Sequence, residues 1–197
     1  MNKKIIIIAG YLASGKSTFA LKLSKEINIP YFVKDTLKSA ICTSIPIESR
    51  DESKRFSVAT FDAILYITER LMETGYPFII EGNFETGAGY KVNEAHFIKA
   101  LIEKYDYQSL TFVFHGNTRK LYERFYTREK QPERGQANQI HSNLSYEDFD
   151  MWIKPLGDFT VEAETIKIDT TDFELVNFDS HIKTAHSFIL HEQCTQE

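Results

Sequence analysis

Ile5-Ile6-Ile7-Ile8-Ala9-Gly10-Tyr11-Leu12-Ala13-Ser14-Gly15-Lys16-Ser17-Thr18 is the stretch on which the reading of this chain turns. Lys4 to Ala9 is an apolar run ended by Gly10, the pattern of a strand buried on both faces. From Lys16 to Ile27 the residues Phe19, Ala20, Leu23 and Ile27 recur on one helical face, and Pro30 stops the pattern. Between strand and helix stands glycine, four residues, then Gly-Lys-Ser. Gly10 lets the chain turn sharply off the strand, and Gly15 lets the backbone approach a ligand. The N–H groups of Ala13 to Thr18 are expected to converge at a helix N-terminus, where the dipole favours negative charge. Lys16 reaches terminal phosphates as a point charge, and the Ser17 hydroxyl suits Mg2+ bridging those phosphates. The expected ligand is a purine nucleoside triphosphate, ATP with Mg2+, held by Gly10, Ala13, Ser14, Gly15, Lys16, Ser17 and Thr18.

Outward from this stretch, helical and extended patterns alternate. Tyr31-Phe32-Val33 reads as a short second strand leading to Asp35. Asp51 to Thr74 is a long helix with Val58, Phe61, Ile64, Leu65, Thr68 and Leu71 at helical spacing, ended by Gly75. Pro77 to Ile80 is a third buried strand ending at Glu81; a helix from about Tyr90 to Lys104 follows a glycine-containing loop. Leu110 to Phe114 is a fourth strand, Thr118 to Glu129 a helix, Thr165 to Ile168 a fifth strand and Ser180 to Leu190 a closing helix. Gln131 to Ser145 is polar and holds Pro132 and Gly135, so a flap is expected at about 130–145. Strands alternating with helices imply an α/β fold with a parallel sheet covered on both faces. No linker interrupts the pattern, so residues 1–197 read as one domain.

Composition excludes several classes. The 197 residues are 42% hydrophobic and 26% charged, an ordinary globular mix. The net charge of -5 disfavours extended nucleic acid as a partner. The charge is uneven, however. Asn117 to Arg134 holds six cations (Arg119, Lys120, Arg124, Arg128, Lys130, Arg134) against three anions (Glu123, Glu129, Glu133), so it carries +3 and the rest -8. A local cationic patch fits a small anionic ligand. Cys42 and Cys194 are far apart and suggest neither a disulfide framework nor a zinc site. The run Ile5 to Ile8 is too short for a secretory signal, and nothing approaches the ~18 apolar residues that span a bilayer. A cytoplasmic location without membrane attachment is the expectation.

Further candidates follow from placement. Asp35, just past the second strand, falls at the carboxyl edge of the sheet, where ligands bind in open α/β folds. There it could accept the proton of an attacking hydroxyl or hold Mg2+ through water; the plainer alternative is a helix N-cap. Glu81 ends the third strand at the same edge and could orient Mg2+ through water. Arg124 and Arg128 share a helix face, and Arg134 lies in the flap; at least one of the three is expected on a transferred phosphoryl group. His141, also in the flap, is more ordinarily a surface residue. Asp169-Thr170-Thr171 could line a base pocket or form a plain turn.

These residues resemble the P-loop small-molecule kinases of the AAA_33, zeta-toxin-like and chloramphenicol phosphotransferase group, from Lys4 to about Thr171. The likeness rests on Gly10 to Thr18 and on Phe78-Ile79-Ile80-Glu81-Gly82-Asn83. Arg134-Gly135-Gln136-Ala137 leading to His141 adds a fainter trace of the antibiotic phosphotransferases. The resemblance implies a three-layer P-loop NTPase fold of the nucleotide-kinase type, with strand order 2-3-1-4-5. It also implies ATP-dependent phosphorylation of a hydroxyl on a small molecule, such as a nucleotide sugar, with Asp35 as base. Glu48 to Arg55 and Phe84 to Tyr90, where acceptor contacts would fall, match no pattern, so the acceptor stays open. The alternative reading is an ATP-binding switch or ATPase with water as acceptor.

Overall fold

The computed structural model describes residues 2–87, 92–129 and 143–190. Its centre is β1 (Lys4–Gly10), every residue of which is buried. The side chains alternate between two cores. Ile5, Ile7 and Ala9 enter one, Ile6 and Ile8 the other, which is why an unbroken apolar run is needed. At about 1.5–3 kcal/mol per buried aliphatic side chain, this strand anchors both layers.

Five strands form the sheet in the order β2-β3-β1-β4-β5. β2 is Tyr31–Val33, β3 Phe78–Glu81, β4 Gln108–His115 and β5 Glu164–Asp169. All four pairings are parallel, with Ile8 opposite Glu81 and Phe112, and Gly10 opposite Phe114. Between them run α1 (Lys16–Ile27), α2 (Lys34–Ser44), α3 (Arg50–Thr74), α4 (Glu94–Tyr105) and α5 (Thr118–Glu129). After α5 come α6 (Tyr146–Ile153), a 3₁₀ segment Lys154–Asp158, a second one at Phe173–Leu175, and α7 (Phe178–Leu190).

On one face, Phe19, Ala20 and Leu23 of α1 pack with Ile182, Ala185 and Ile189 of α7. On the other, Phe61, Ile64 and Met72 of α3 pack with Ala95, Ile98 and Ile102 of α4. A third cluster joins Leu121 and Phe125 of α5 to Phe149 and Ile153 of α6, and Leu12 inserts into it. That insertion fixes the loop after β1 to the α5–α6 pair.

The element boundaries agree with the periodicity to within a few residues. The 25-residue α3 starts on a Ser49 cap, whose Oγ accepts the Glu52 N–H at 3.2 Å. It stops at Gly75, where φ is 72°. Val58, placed by spacing on the core face, is 51% exposed. The expected flap at 130–145, with Arg134 and His141, falls outside the described residues except for its last three. Tyr90, the expected start of α4, lies outside them too. Among the described residues no helix is long and apolar enough to cross a membrane.

Candidate functional site

The loop after β1 is built around two glycines. At Gly10 φ is 112°, and a Cβ there would stand 2.1 Å from the Phe114 carbonyl oxygen. Only glycine lets β1 lie this close to β4 while the Tyr11 N–H donates to that same oxygen at 2.8 Å. At Gly15, the residue before α1, φ is 90°. No side chain caps α1 and its first turn holds no carboxylate, so its N–H groups and dipole face the loop uncompensated.

The loop's polar side chains are turned inward. Lys16 Nζ and Ser14 Oγ both donate to the Tyr11 carbonyl, each at 2.6 Å. Ser17 Oγ donates to Glu81 Oε2 at 2.8 Å. Lys16 is 6% and Glu81 4% exposed, so both sit in a poorly solvated pocket. Burial pushes the Lys16 ammonium below its ordinary range, against the pull of Glu81 and Asp35. Burial likewise pushes the Glu81 carboxyl up, with Lys16 opposing. Each charge thus offsets part of the other's burial, one from the start of α1 and the other from the end of β3, far apart in sequence.

Asp35 is the second residue of α2, whose cap position is Val33, so its carboxylate does not cap that helix. It is half-buried, and Asn83 Nδ2 approaches its Oδ2 at 3.5 Å. The structure gathers Lys16, Ser17, Asp35, Glu81, Asn83 and Arg128 around one cavity of about 60 Å³, floored by the loop from Leu12 to Thr18. Among the described residues no three His, Cys, Asp or Glu side chains converge, so a cation held by Ser17 and Glu81 would need further oxygens from its ligand.

Beside this cavity lies a larger one of about 550 Å³, sharing Ala13, Gly15 and Arg128 with it. Its other walls are Arg124, Asp172, Phe173, Glu174 and Leu175. Arg124 donates to the carbonyls of Thr170 at 2.6 Å and Thr171 at 2.7 Å, and its guanidinium lies 5.9 Å from the Phe173 ring centre. It therefore fixes the loop after β5, while Arg128 lines both cavities; Arg134 is outside the described residues. Phe173 and Leu175 have no counterpart among the residues singled out from the sequence. Phe173 lies against Gly15, and Leu175 is 82% exposed at the cavity mouth. The signal was available in Phe173 and Leu175, two large apolar residues alternating with acids just past Thr171. Asp169-Thr170-Thr171 carries the chain from the end of β5 into a turn: Asp169 accepts the Thr171 N–H at 2.8 Å, and buried Thr170 donates to His115 O at 2.9 Å.

A glycine-rich loop between a central parallel strand and a helix, in a sheet of order 2-3-1-4-5, is the three-layer P-loop NTPase fold of the nucleotide-kinase type. No family model and no curated protein matches the sequence. Solved structures do. A protein from Chloroflexus aurantiacus, provisionally named a kinase, is 17% identical, with a TM-score of 0.83 over 95% of this chain and 99% of that one. A gluconokinase from Sinorhizobium meliloti is 17% identical, with a TM-score of 0.54 over 95% and 92% of the two chains. A shikimate kinase from Bacteroides thetaiotaomicron is 13% identical, with a TM-score of 0.54 over 94% and 97%. At these identities the likeness is one of fold.

Proposed function

We propose that the protein is an ATP-dependent phosphotransferase that moves the γ-phosphoryl group of MgATP to a hydroxyl of a small molecule. One observation carries the reading: a carboxylate from a separate element, Asp35, lines the same cavity as Lys16, Ser17 and Glu81. A loop that only binds nucleotide needs no such group on that side. Three of the structures that share the fold bear the names of kinases, which supports the same reading.

The roles follow from position. Ala13, Ser14, Gly15 and Thr18 would supply backbone donors to the phosphates, Gly10 would turn the chain into that loop, and Lys16 would exchange the Tyr11 carbonyl for a phosphate oxygen. Ser17 and Glu81 would hold Mg2+, which when bound neutralises charge on the phosphates. The base and sugar would lie in the larger cavity along Phe173 and Leu175, with Arg124 holding its wall. Asp35 takes the proton of the acceptor hydroxyl as its oxygen bonds to the γ-phosphorus. The bond from that phosphorus to the β–γ bridging oxygen breaks, and ADP leaves. Arg128 neutralises the group in transit.

The test is ADP release with and without acceptor, screened over nucleosides, sugars, nucleotide sugars and aminoglycoside or phenicol antibiotics, against Lys16→Ala. The expected result is acceptor-dependent turnover in the wild type and near-complete loss of ATP binding in the variant. Turnover of equal rate with water alone across the panel would favour an ATPase switch instead.

A further inference from the structure

Ser53 and Glu85, from two segments without a recognisable pattern, come close to lysines of α2 and α3. Lys54 of α3 acts electrostatically on Glu85 of the loop after β3. Glu85 donates its N–H to Glu94 Oε2 at 2.9 Å, and Glu94 in turn takes the Lys34 ammonium at 2.5 and 2.6 Å. Lys34 thereby has a buried carboxylate as counter-ion, with side-chain exposures of 8% and 5% for the pair.

Lys38, one turn further along α2, is different. It is only 8% exposed, and its Nζ donates to Ser53 Oγ at 2.7 Å and Ser57 Oγ at 2.9 Å, both neutral. The Ser57 hydroxyl proton is already committed to the Ser53 carbonyl at 3.0 Å. No carboxylate among the described residues forms an ion pair with Lys38, and the third N–H of the ammonium has no partner among them. A buried ammonium held only by hydroxyls is costly unless an anion completes its shell. Burial pulls it down from its ordinary range, while Asp35 and the Cys42 thiol on the same helix favour the charged form and Lys34 opposes it. Asp35 and Lys38 are three residues apart, so they share a face of α2.

Resting on the kinase reading above, we infer that the acceptor is itself an anion. Its carboxylate or phosphate group docks on the Lys38 ammonium while its hydroxyl meets Asp35. The spacing of one helical turn selects compact acceptors, with the anionic group a few bonds from the hydroxyl that is phosphorylated. A sugar acid, a hydroxy acid or a sugar phosphate has this form; a neutral polyol does not.

The test uses the full chain saturated with Mg2+ and AMP-PNP, so that the phosphate loop is filled. Calorimetry then compares gluconate with sorbitol, and glucose 6-phosphate with glucose. The two pairs separate carboxylate from phosphate recognition. In at least one pair the anion should bind about 10- to 100-fold more tightly, the range of a charge-assisted contact. Lys38→Met should erase that ratio, Lys38→Arg should restore part of it, and the melting temperature of Lys38→Met should not fall. Equal binding within both pairs, or no anion binding to the AMP-PNP complex, would overturn the inference. So would a Lys38→Met protein that melts lower yet keeps the ratio, since Lys38 would then only brace α2 on α3. Failure of AMP-PNP itself to bind would instead count against the kinase reading.

Discussion

Gly15→Ala should show how tightly the phosphate loop is coupled to the segment after β5. A methyl group there would sit 2.1 Å from Phe173 Cε2, at a φ of 90°. The backbone term for an L-residue in the left-handed region is about 1–2 kcal/mol. Ordinary carbon contact is about 3.5–4.0 Å, so the ring must retreat by roughly 1.5 Å. It would then lose much of its edge contact with Phe178, now 5.6 Å between centroids, worth about 0.5–1.5 kcal/mol. Its cation–π contact with Arg124 is worth about 0.5–1 kcal/mol more. The total is about 2–4 kcal/mol, which for a chain of this length lowers the melting temperature by roughly 5–15 °C. In a Phe173→Ala background only the backbone term remains. Thermal and denaturant unfolding of the four proteins should therefore give a coupling energy of about 1–2 kcal/mol. Strict additivity would refute the claim that Phe173 and Gly15 bear on each other.

Three further outcomes follow from the same geometry. Lys34→Met strands the Glu94 carboxylate in a buried site and should cost about 3–5 kcal/mol in denaturant unfolding, most of it recovered in Lys34→Met/Glu94→Leu; full loss in both would show that Lys34 matters by packing alone. Glu81 has its carboxyl raised by burial, so the folded state holds the proton more tightly than the unfolded chain, and stability falls as pH rises above the ordinary carboxyl value of 4.5. Without Mg2+, Glu81→Gln should melt higher than wild type at pH 7, differ little at pH 4, and lose Mg2+-dependence of ATP binding; parallel melting curves against pH would contradict this. Arg128→Ala should lower turnover by about 10²- to 10³-fold with little change in ATP affinity. Arg124→Ala should act chiefly on the KM for ATP by freeing the 170–175 segment, and steady-state kinetics of the pair would expose a reversal.

Much of this was legible in the residues. The buried run at Ile5 to Ile8 and the glycines at 10 and 15 fixed the central strand and loop, because few other uses exist for that order of residue types. Glu81 and Asp35 were placed at the sheet's edge simply by counting strands. What the sequence does not display is reach. That Ser17 donates to Glu81, or that Asn83 comes to Asp35, depends on strands being neighbours in the order 2-3-1-4-5, which no local pattern encodes. Phe173 is similar: its contact with Gly15 joins residues far apart in the chain. Nothing in the local sequence marks Lys34 and Lys38 as buried, yet both are, because their partners come from α3 and α4. The division between Arg124 and Arg128 was equally hidden, since both lie on one helix face and only the position of the Thr170–Thr171 carbonyls separates them.

The central claim is that Asp35 serves the acceptor hydroxyl while the loop holds the nucleotide. Asp35→Asn retains the size of the side chain and an oxygen facing Asn83 but removes the charge. Turnover with a saturating acceptor and ATP affinity by calorimetry should be measured on the same preparation. A general base contributes about 10²- to 10⁴-fold, so turnover should fall within that range while ATP affinity stays within a few-fold of wild type. Unchanged turnover would contradict the account, and a loss of ATP affinity in its place would move Asp35 to the Mg2+ shell and leave Glu81 as the candidate base.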